Sequence, residues 1–368
     1  MDIIADFFST TLSFLVIISV IVFIHEFGHY LFARLCGVTV EVFSVGFGKE
    51  VFGFHDRAGT RWKFSALPLG GYVKMYGDES AASTANVEKL EKMDETERSR
   101  SFHYKSLWQK SLIVMGGPLF NFLLTIAIFT GLIFMNGVTS TEPVVGEVMP
   151  GSAAEIAGLQ PGDRILLINN TEIEEFRDIS VTIATNLGEP VSLRLERAGQ
   201  PLERVITPQI VQVEDALGNM AEVPRIGIRS QELTVREMGL IGALGHAVER
   251  TYQLCVSTLE VLKQLVLGQR SADQLKGPIG IAHMSGQAAN AGIIMTLWFM
   301  ALISANLGLV NLLPIPLLDG GHLLFYAVEG ASGRPMAQKV QQFGFKLGFV
   351  LLVSLMAFTI FNDLRNLL

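Results

Sequence analysis

"FIHEFGHYLFARLCG", Phe23 to Gly37, closes an apolar run that begins near Phe7. It places His25, Glu26 and His29 where a lipid-spanning helix should be greasiest. Each ionisable group in a bilayer core costs about 2.5–3.5 kcal/mol on insertion scales, so three in one turn imply a site that offsets the cost. On a helix His25 and His29 lie on one face, one turn apart. That is the spacing at which two imidazoles share one metal ion, and Glu26 lies beside them. The pattern is HExxH, in which the histidines hold zinc and the glutamate takes the proton of the attacking water.

The composition agrees with a membrane setting. Of 368 residues, 49% are hydrophobic and 17% charged, where soluble domains carry nearer a quarter charged. The formal net charge of -7 leaves no basic stripe for phosphates, so no nucleic-acid partner is expected. Two cysteines, Cys36 and Cys255, form no CxxC or Cys/His cluster, which indicates neither a disulfide framework nor a zinc finger.

Four stretches approach the roughly 20 apolar residues that span a bilayer: Phe7 to Ala33, Leu112 to Met135, Ile294 to Leu312 and Phe345 to Phe361. The first lacks the basic flank and small-residue cleavage site of a signal peptide. Lys and Arg crowd the segment 37–107 and the short link between the last two spans, whereas the flanks "NGVTSTEP" after the second span and "SGQAANAG" before the third hold none; Arg365 is the exception. The positive-inside rule then puts both termini and 137–292 outside and 37–107 in the cytoplasm. Cys36 and Cys255 fall on opposite sides and should not pair.

The expected architecture is an α-helical polytopic membrane protein with four transmembrane helices. The first, 1–36, carries HExxH. A cytoplasmic segment follows at 37–107, the second span at 108–136, a β-rich domain at 137–232 and a linker with an amphipathic helix at 233–292. The third span and its loop occupy 293–342, and the fourth span 343–368. Within the β-rich part, "VVGEVMPGSAAEIAGLQPGDRILLINNTEI" (Val144 to Ile173) resembles a bacterial PDZ domain. Such a domain either binds peptides by strand addition or merely narrows an entrance. The polar stretch 78–100 is expected to be a mobile loop. "TRWKFSALPLGGYVKMYGD" (Thr60 to Asp78) alternates around "PLGG" and reads as a β-hairpin with its turn at Pro68 to Gly71. Its apolar content suits a hairpin that dips back toward the membrane, or one that simply anchors the loop to the surface.

A catalytic zinc takes a third protein ligand and keeps an open fourth position. Nothing suitable follows Tyr30 closely. The other intramembrane acid lies in "NLGLVNLLPIPLLDGGH" (Asn306 to His322), where Pro314 and Pro316 break the third span, Gly320 and Gly321 allow a tight turn, and Asp319 is presented from a loop. Phe7 to His25 rises about 27 Å, which brings HExxH to the cytoplasmic end of the first span. The third span runs inward and brings Asp319 to the same depth. The residues alone leave Asp319 and His322 both open as third ligand.

HExxH in the first span with "NLLPIPLLDG" (Asn311 to Gly320) in a later one resembles the site-2 protease family of intramembrane zinc metalloproteases. "GFGK", "PLGGYVKM", "GGPLFNF", "GPIGIA" and "DGGHLLF" fit its RseP-type bacterial branch. The resemblance spans nearly the whole chain. It implies one zinc ion per chain on His25, His29 and Asp319, with Glu26 as general base. It implies a membrane-reentrant hairpin at Arg61 to Tyr76 that pairs with an extended substrate, with Trp62, Phe64, Ala66, Tyr72 and Lys74 as contacts. Asn306 and Asn311 would handle substrate, and Asn121 is a weaker match. The implied setting is the bacterial inner membrane, with termini and PDZ domain in the periplasm and the site near the cytoplasmic face. The implied partners are membrane lipid and single-span substrates: an anti-sigma factor cut in regulated intramembrane proteolysis, or signal-peptide remnants. A non-catalytic PDZ scaffold is the rival class. Tandem-PDZ relatives differ from this chain, which has length for one such domain.

Overall fold

The first apolar run forms one helix, α1 (Asp2–Leu35), of 34 residues, about 51 Å of rise. Backbone bonds from Cys36, Gly37 and Val38 to the carbonyls of Phe32, Arg34 and Ala33 end it, with Gly37 at φ 70°. The computed structural model describes residues 2–78, 90, 92–140, 142–186, 188–214, 220–230, 234–269, 275–334 and 336–367. The chain divides into two compact units, Met1–Ile128 with Asp273–Leu368, and Phe129–Ala272.

In the first unit, α1 is followed by β1 (Val40–His55), β2 (Arg61–Met75), the short α2 (Glu95–Arg100) and α3 (Leu107–Asn136), which runs on past the unit's edge. The sheet is not the expected hairpin. The arms Arg61–Leu67 and Gly71–Met75 do not pair with each other, because residues 40–47 lie between them. Phe43 sits opposite both Trp62 and Val73, and Val45 opposite both Phe64 and Gly71. Residues 50–55 pair on the far side, with Phe54 opposite Trp62. Two long strands thus bend, at Gly46–Gly48 and at Pro68–Gly71, into four ribbons ordered 50–55, 61–67, 40–47, 71–75. "PLGG" is a crossover and not a turn. Gly46 and Gly48 take φ 89° and 87° at the bend, which only glycine adopts freely. The inner face of the sheet, Val40, Phe43, Val45, Val73 and Met75, packs with Ala33, Phe102, Ile113 and Val114 into one buried cluster. Phe47, Val51, Phe52, Phe64 and Leu67 are exposed.

Asp56 fixes the sheet to α1. Its carboxylate accepts from Trp62 Nε1 and Tyr30 Oη at 3.0 Å each, and from the Thr60 and Ala58 amides at 2.9 and 2.8 Å. Of the stretch expected to be a mobile loop, residues 79–89 and 91 lie outside the described residues. Its end is ordered, with α2 capped by Asp94 in a reciprocal box with Glu97.

In the second unit, β3 (Val138–Ser140), β4 (Val145–Val148), α4 (Ala153–Ile156), β5 (Arg164–Ile168), β6 (Thr171–Glu172), α5 (Phe176–Thr185), β7 (Val191–Arg197), β8 (Gln200–Ile206), β9 (Gln209–Glu214), β10 (Met220–Arg225), β11 (Ile228–Ser230) and β12 (Thr234–Arg236) precede α6 (Leu240–Val266). The main sheet has the order β6-β5-β7-β8. Along β7, Val191, Leu193 and Leu195 point inward against Ile165, Ile179 and Ile183, the period-2 burial of a half-covered strand. The amphipathic reading of α6 fits a helix that buries Ala243 and Ala247 and exposes Ile241, Leu244, Val248 and Tyr252.

The chain returns to the first unit with α7 (Pro278–Asn290), α8 (Ile293–Leu312), α9 (Asp319–Ser332) and α10 (Gln338–Leu367). Helices α1, α3, α8 and α10 are long and apolar enough to cross a membrane. Asp363 near the end of α10 accepts from the Gly277 and Gly280 amides at 2.9 Å each, satisfying orphan donors at the start of α7. One turn-rich stretch corrects the sequence reading: Asp319 is not on a loop but is the first residue of α9. Gly320 and Gly321 are there for contact and not for a turn. A Cβ on Gly320 would lie 2.2 Å from the Leu313 carbonyl, and one on Gly321 2.4 Å from that of Ile315. Leu317, two residues before Asp319, stands at φ 83°.

Candidate metal centre

Helix α1 delivers His25 and His29 to one face, as the i, i+4 spacing requires. Helix α9 delivers Asp319 to the same point. His25 Nε2 is 3.2 Å from His29 Nε2 and 3.3 Å from Asp319 Oδ2, and His29 Nε2 is 3.5 Å from Asp319 Oδ1. Zinc–ligand bonds of about 2.0–2.1 Å at tetrahedral angles separate ligand atoms by about 3.3 Å, so the triangle has the size of one face of a zinc tetrahedron. The donor set, two imidazoles and a carboxylate, is a zinc set with one position left open. Asp319 Oδ2 is buried and has no hydrogen-bond partner among the described residues. The three residues fit a zinc ion.

The close approach depends on α3. A Cβ on Gly28 would lie 2.1 Å from the Gly116 carbonyl oxygen, and one on Gly116 would lie 2.6 Å from that of Gly28. The two helices therefore touch backbone to backbone, which small residues permit. From this contact α3 reaches the histidines from behind. His29 Nδ1 donates to the Ile113 carbonyl at 2.9 Å, which leaves Nε2 with its lone pair toward Asp319. The Asn121 amide lies 3.1 Å from His25 Nδ1. Ile113 contributes through its backbone, so no side-chain signal could have pointed to it.

A cavity of about 230 Å³ opens at the triad, lined by Glu26, Tyr72, Val73, Asn311, His322 and Tyr326 among others. Ribbon 71–75, the outer edge of the sheet, borders it. A Cβ on Gly71 would lie 3.0 Å from Glu26 Cγ, so this edge passes directly over the glutamate. Of the expected substrate contacts, Tyr72 and Asn311 line the cavity, with Asn311 Nδ2 3.5 Å from His25 Nε2. Trp62 does not; it stacks on Phe43 at 4.2 Å and donates to Asp56. Phe64 and Ala66 are on the inner ribbon 61–67, away from the open edge. Lys74 is on the edge ribbon and pairs with Glu41 at 3.1 Å. Asn306 lies on α8, five residues before Asn311, outside the cavity wall. His322, the rival third ligand, lines the cavity but is not in the converging triad; its ring lies 5.4 Å from that of Phe345. Tyr326 in the wall had no motif to announce it.

Comparison with known proteins places this site in a family. Peptidase family M50 matches residues 13–355. A candidate zinc metalloprotease of Rhizobium meliloti is 44% identical over 357 residues, covering 96% of each chain. One from Mesorhizobium japonicum is 41% identical over 97% of this chain and 99% of the relative. Metalloprotease MmpA of Caulobacter vibrioides is 36% identical over 96% of this chain and 95% of its own. Among solved structures, the PDZ domain of an SdrC-like protein from Listeria monocytogenes covers 25% of this chain and 90% of its own, at 21% identity and a TM-score of 0.20. With four helices of membrane-spanning character and a family match over nearly its whole length, the chain is a membrane-embedded zinc metalloprotease belonging to peptidase family M50, the site-2 protease family.

Proposed function

We propose that the enzyme cuts a peptide bond within the transmembrane segment of a single-span, membrane-anchored regulator such as an anti-sigma factor, releasing the regulator's cytoplasmic part. The observation that carries this reading is the meeting of three features at one cavity between apolar helices: the His25–His29–Asp319 triad, the Glu26 carboxylate and the backbone edge of ribbon 71–75. His25, His29 and Asp319 would hold the zinc ion, which when bound would supply a Lewis acid for activating water and polarising a carbonyl. Glu26 takes a proton from the attacking water and returns it to the leaving amine. Gly71 leaves room for the Glu26 side chain beneath the edge. Asn311, whose Nδ2 lies 3.5 Å from His25 Nε2 in the same cavity, would donate toward the reacting carbonyl.

A helical substrate hides its carbonyls in its own hydrogen bonds, and each unsatisfied backbone group in lipid costs several kcal/mol. Ribbon 71–75 offers replacement partners by strand addition, with Tyr72 against the added strand. The exposed apolar face of the sheet supports insertion into the bilayer, with lipid against Phe47, Phe52 and Phe64. The Lys and Arg distribution supports a bacterial inner-membrane protein with termini and β-rich domain in the periplasm, the sheet on the cytoplasmic side, and the site near that face. The β-rich domain, PDZ-like in sequence, screens substrates by size. The test is capture: the Glu26→Gln variant, expressed in cells and cross-linked, should retain single-span proteins that the wild type cleaves. Mass spectrometry should map the cut inside their apolar segments. Cuts confined to soluble loops would overturn the proposal.

A further inference from the structure

The two histidines are held from behind in different ways. The Ile113 carbonyl can only accept, so His29 has a single arrangement: Nδ1–H donates and Nε2 presents its lone pair. His25 Nδ1 instead faces a side-chain carboxamide, which can donate or accept. Asn121 is fully buried, and its backbone is fixed. Its carbonyl accepts from Thr125 Oγ1 at 3.0 Å and from Ser304 Oγ at 2.9 Å. Gly308 of α8 comes within the reach of a methyl group of its Cβ. Those bonds to α3 and α8 use the main chain alone. The side chain is left to α1.

With Nδ2 toward the ring, the amide donates to His25 Nδ1 at 3.1 Å. The ring proton then sits on Nε2, between His29 Nε2 and Asp319 Oδ2. In that arrangement Asn121 Oδ1 is buried and has no hydrogen-bond partner among the described residues. A half-turn of the amide plane about χ2 exchanges oxygen and nitrogen with no change of shape. Oδ1 then accepts from Nδ1–H, and the lone pair of His25 moves to Nε2, facing the other two ligands.

We propose that Asn121 is the positioning residue of the metal centre, the side chain that sets the ring of His25 from behind. With zinc bound, Oδ1 accepts from Nδ1–H and holds the ring in the tautomer that ligates. This rests on the reading of His25, His29 and Asp319 as the zinc ligands. Partners behind metal-bound histidines fix tautomer and ring orientation, and their loss lowers metal affinity about 10- to 100-fold.

The test is zinc affinity of the full-length protein in detergent, measured by competition with a chelator. Asn121→Leu, which removes donor and acceptor at similar volume, should weaken zinc binding about 10- to 100-fold. Asn121→Ala, which leaves a hole in place of a bulkier group, should fall by the same factor and stands in if the leucine variant does not fold. Asn121→Asp keeps the acceptor and should bind zinc close to wild type. Wild-type affinity in the leucine or alanine variant overturns the proposal. So does an aspartate variant as weak as the other two, since that pattern belongs to a packing role. His25→Ala separates this inference from the ligand assignment beneath it. If His25→Ala loses zinc while Asn121→Leu does not, only the positioning role fails; if His25→Ala binds as wild type, the ligand assignment fails as well.

Discussion

Gly117 and His29 are in contact that no other residue at 117 would permit: a Cβ there would lie 2.3 Å from His29 Nε2, and 2.7 Å from His25 Cε1. The glycine is the floor of the metal site. Gly117→Ala should therefore strip zinc from the protein and reduce cleavage by at least about a hundredfold. Gly131→Ala on the same helix meets nothing within 4 Å and should leave zinc content and rate unchanged. Metal analysis of the two purified variants checks the pair.

Glu26 borders the cavity without joining the triad. Its amide variant cannot accept a proton yet disturbs little else. Glu26→Gln is expected to keep about one zinc per chain while cleavage falls by a factor on the order of 10²–10⁴, the range of general-base contributions. Zinc lost together with activity would contradict this division of roles.

The ligand assignment predicts a different pattern. His25→Ala, His29→Ala and Asp319→Ala should each lose zinc as well as activity. His322→Ala should retain zinc, because its imidazole is outside the triangle formed by the other three. Stoichiometric zinc in Asp319→Ala with loss in His322→Ala would reverse the choice of third ligand.

For the sheet, the two outer ribbons make opposite predictions. Proline removes a backbone donor and blocks strand pairing. Scanned through Tyr72 to Lys74 it should abolish cleavage with zinc retained. At Val51 and Phe52, on the outer ribbon away from the cavity, it should leave turnover measurable. Substrates whose spans carry helix-destabilising residues should tolerate the edge variants better. Equal rates for all proline variants would rule out strand addition as the means of unwinding.

Asp56→Ala removes the acceptor of four hydrogen bonds, one of them from Tyr30 of α1. The expected loss is about 2–4 kcal/mol in anchoring the sheet, read as faster protease nicking between residues 50 and 61. Unchanged nicking would show that the aromatic stack of Phe43 on Trp62 holds the sheet alone.

The sequence made part of this plain. His25, Glu26 and His29 could be placed because helix periodicity fixes which side chains share a face. Asp319 could be found because an acid in an apolar run is costly and needs a reason. The broken span was read correctly at Pro314 and Pro316, but not the restart of the helix at Asp319, since proline marks where a helix stops and says little about where the next begins. The sheet was misread for a similar reason. Alternation around "PLGG" shows that Arg61 to Met75 is extended, but it does not name the partner. The partner, Val40–Val45, carries its own alternation, and inserting it between the two arms is a decision of packing against Ala33 and Ile113. The Ile113 carbonyl has no side-chain signature whatever.

Leu317 has one further consequence. A leucine at φ 83° occupies a conformation that costs roughly 1–3 kcal/mol, two residues from the carboxylate at the centre of the site. Glycine there would remove that strain, but it would also give the unfolded chain more freedom to lose on folding. The strain is the larger of the two effects, so leucine is held at this position against the stability of the fold. What leucine provides is a stiff lead-in to Asp319, whose entropy is spent when the chain folds and not each time a metal ion arrives. A lineage that drifted to glycine at 317 would keep a fold at least as stable and take up metal more slowly and less completely, so adaptation to metal scarcity would leave its mark at this residue before it touched any ligand.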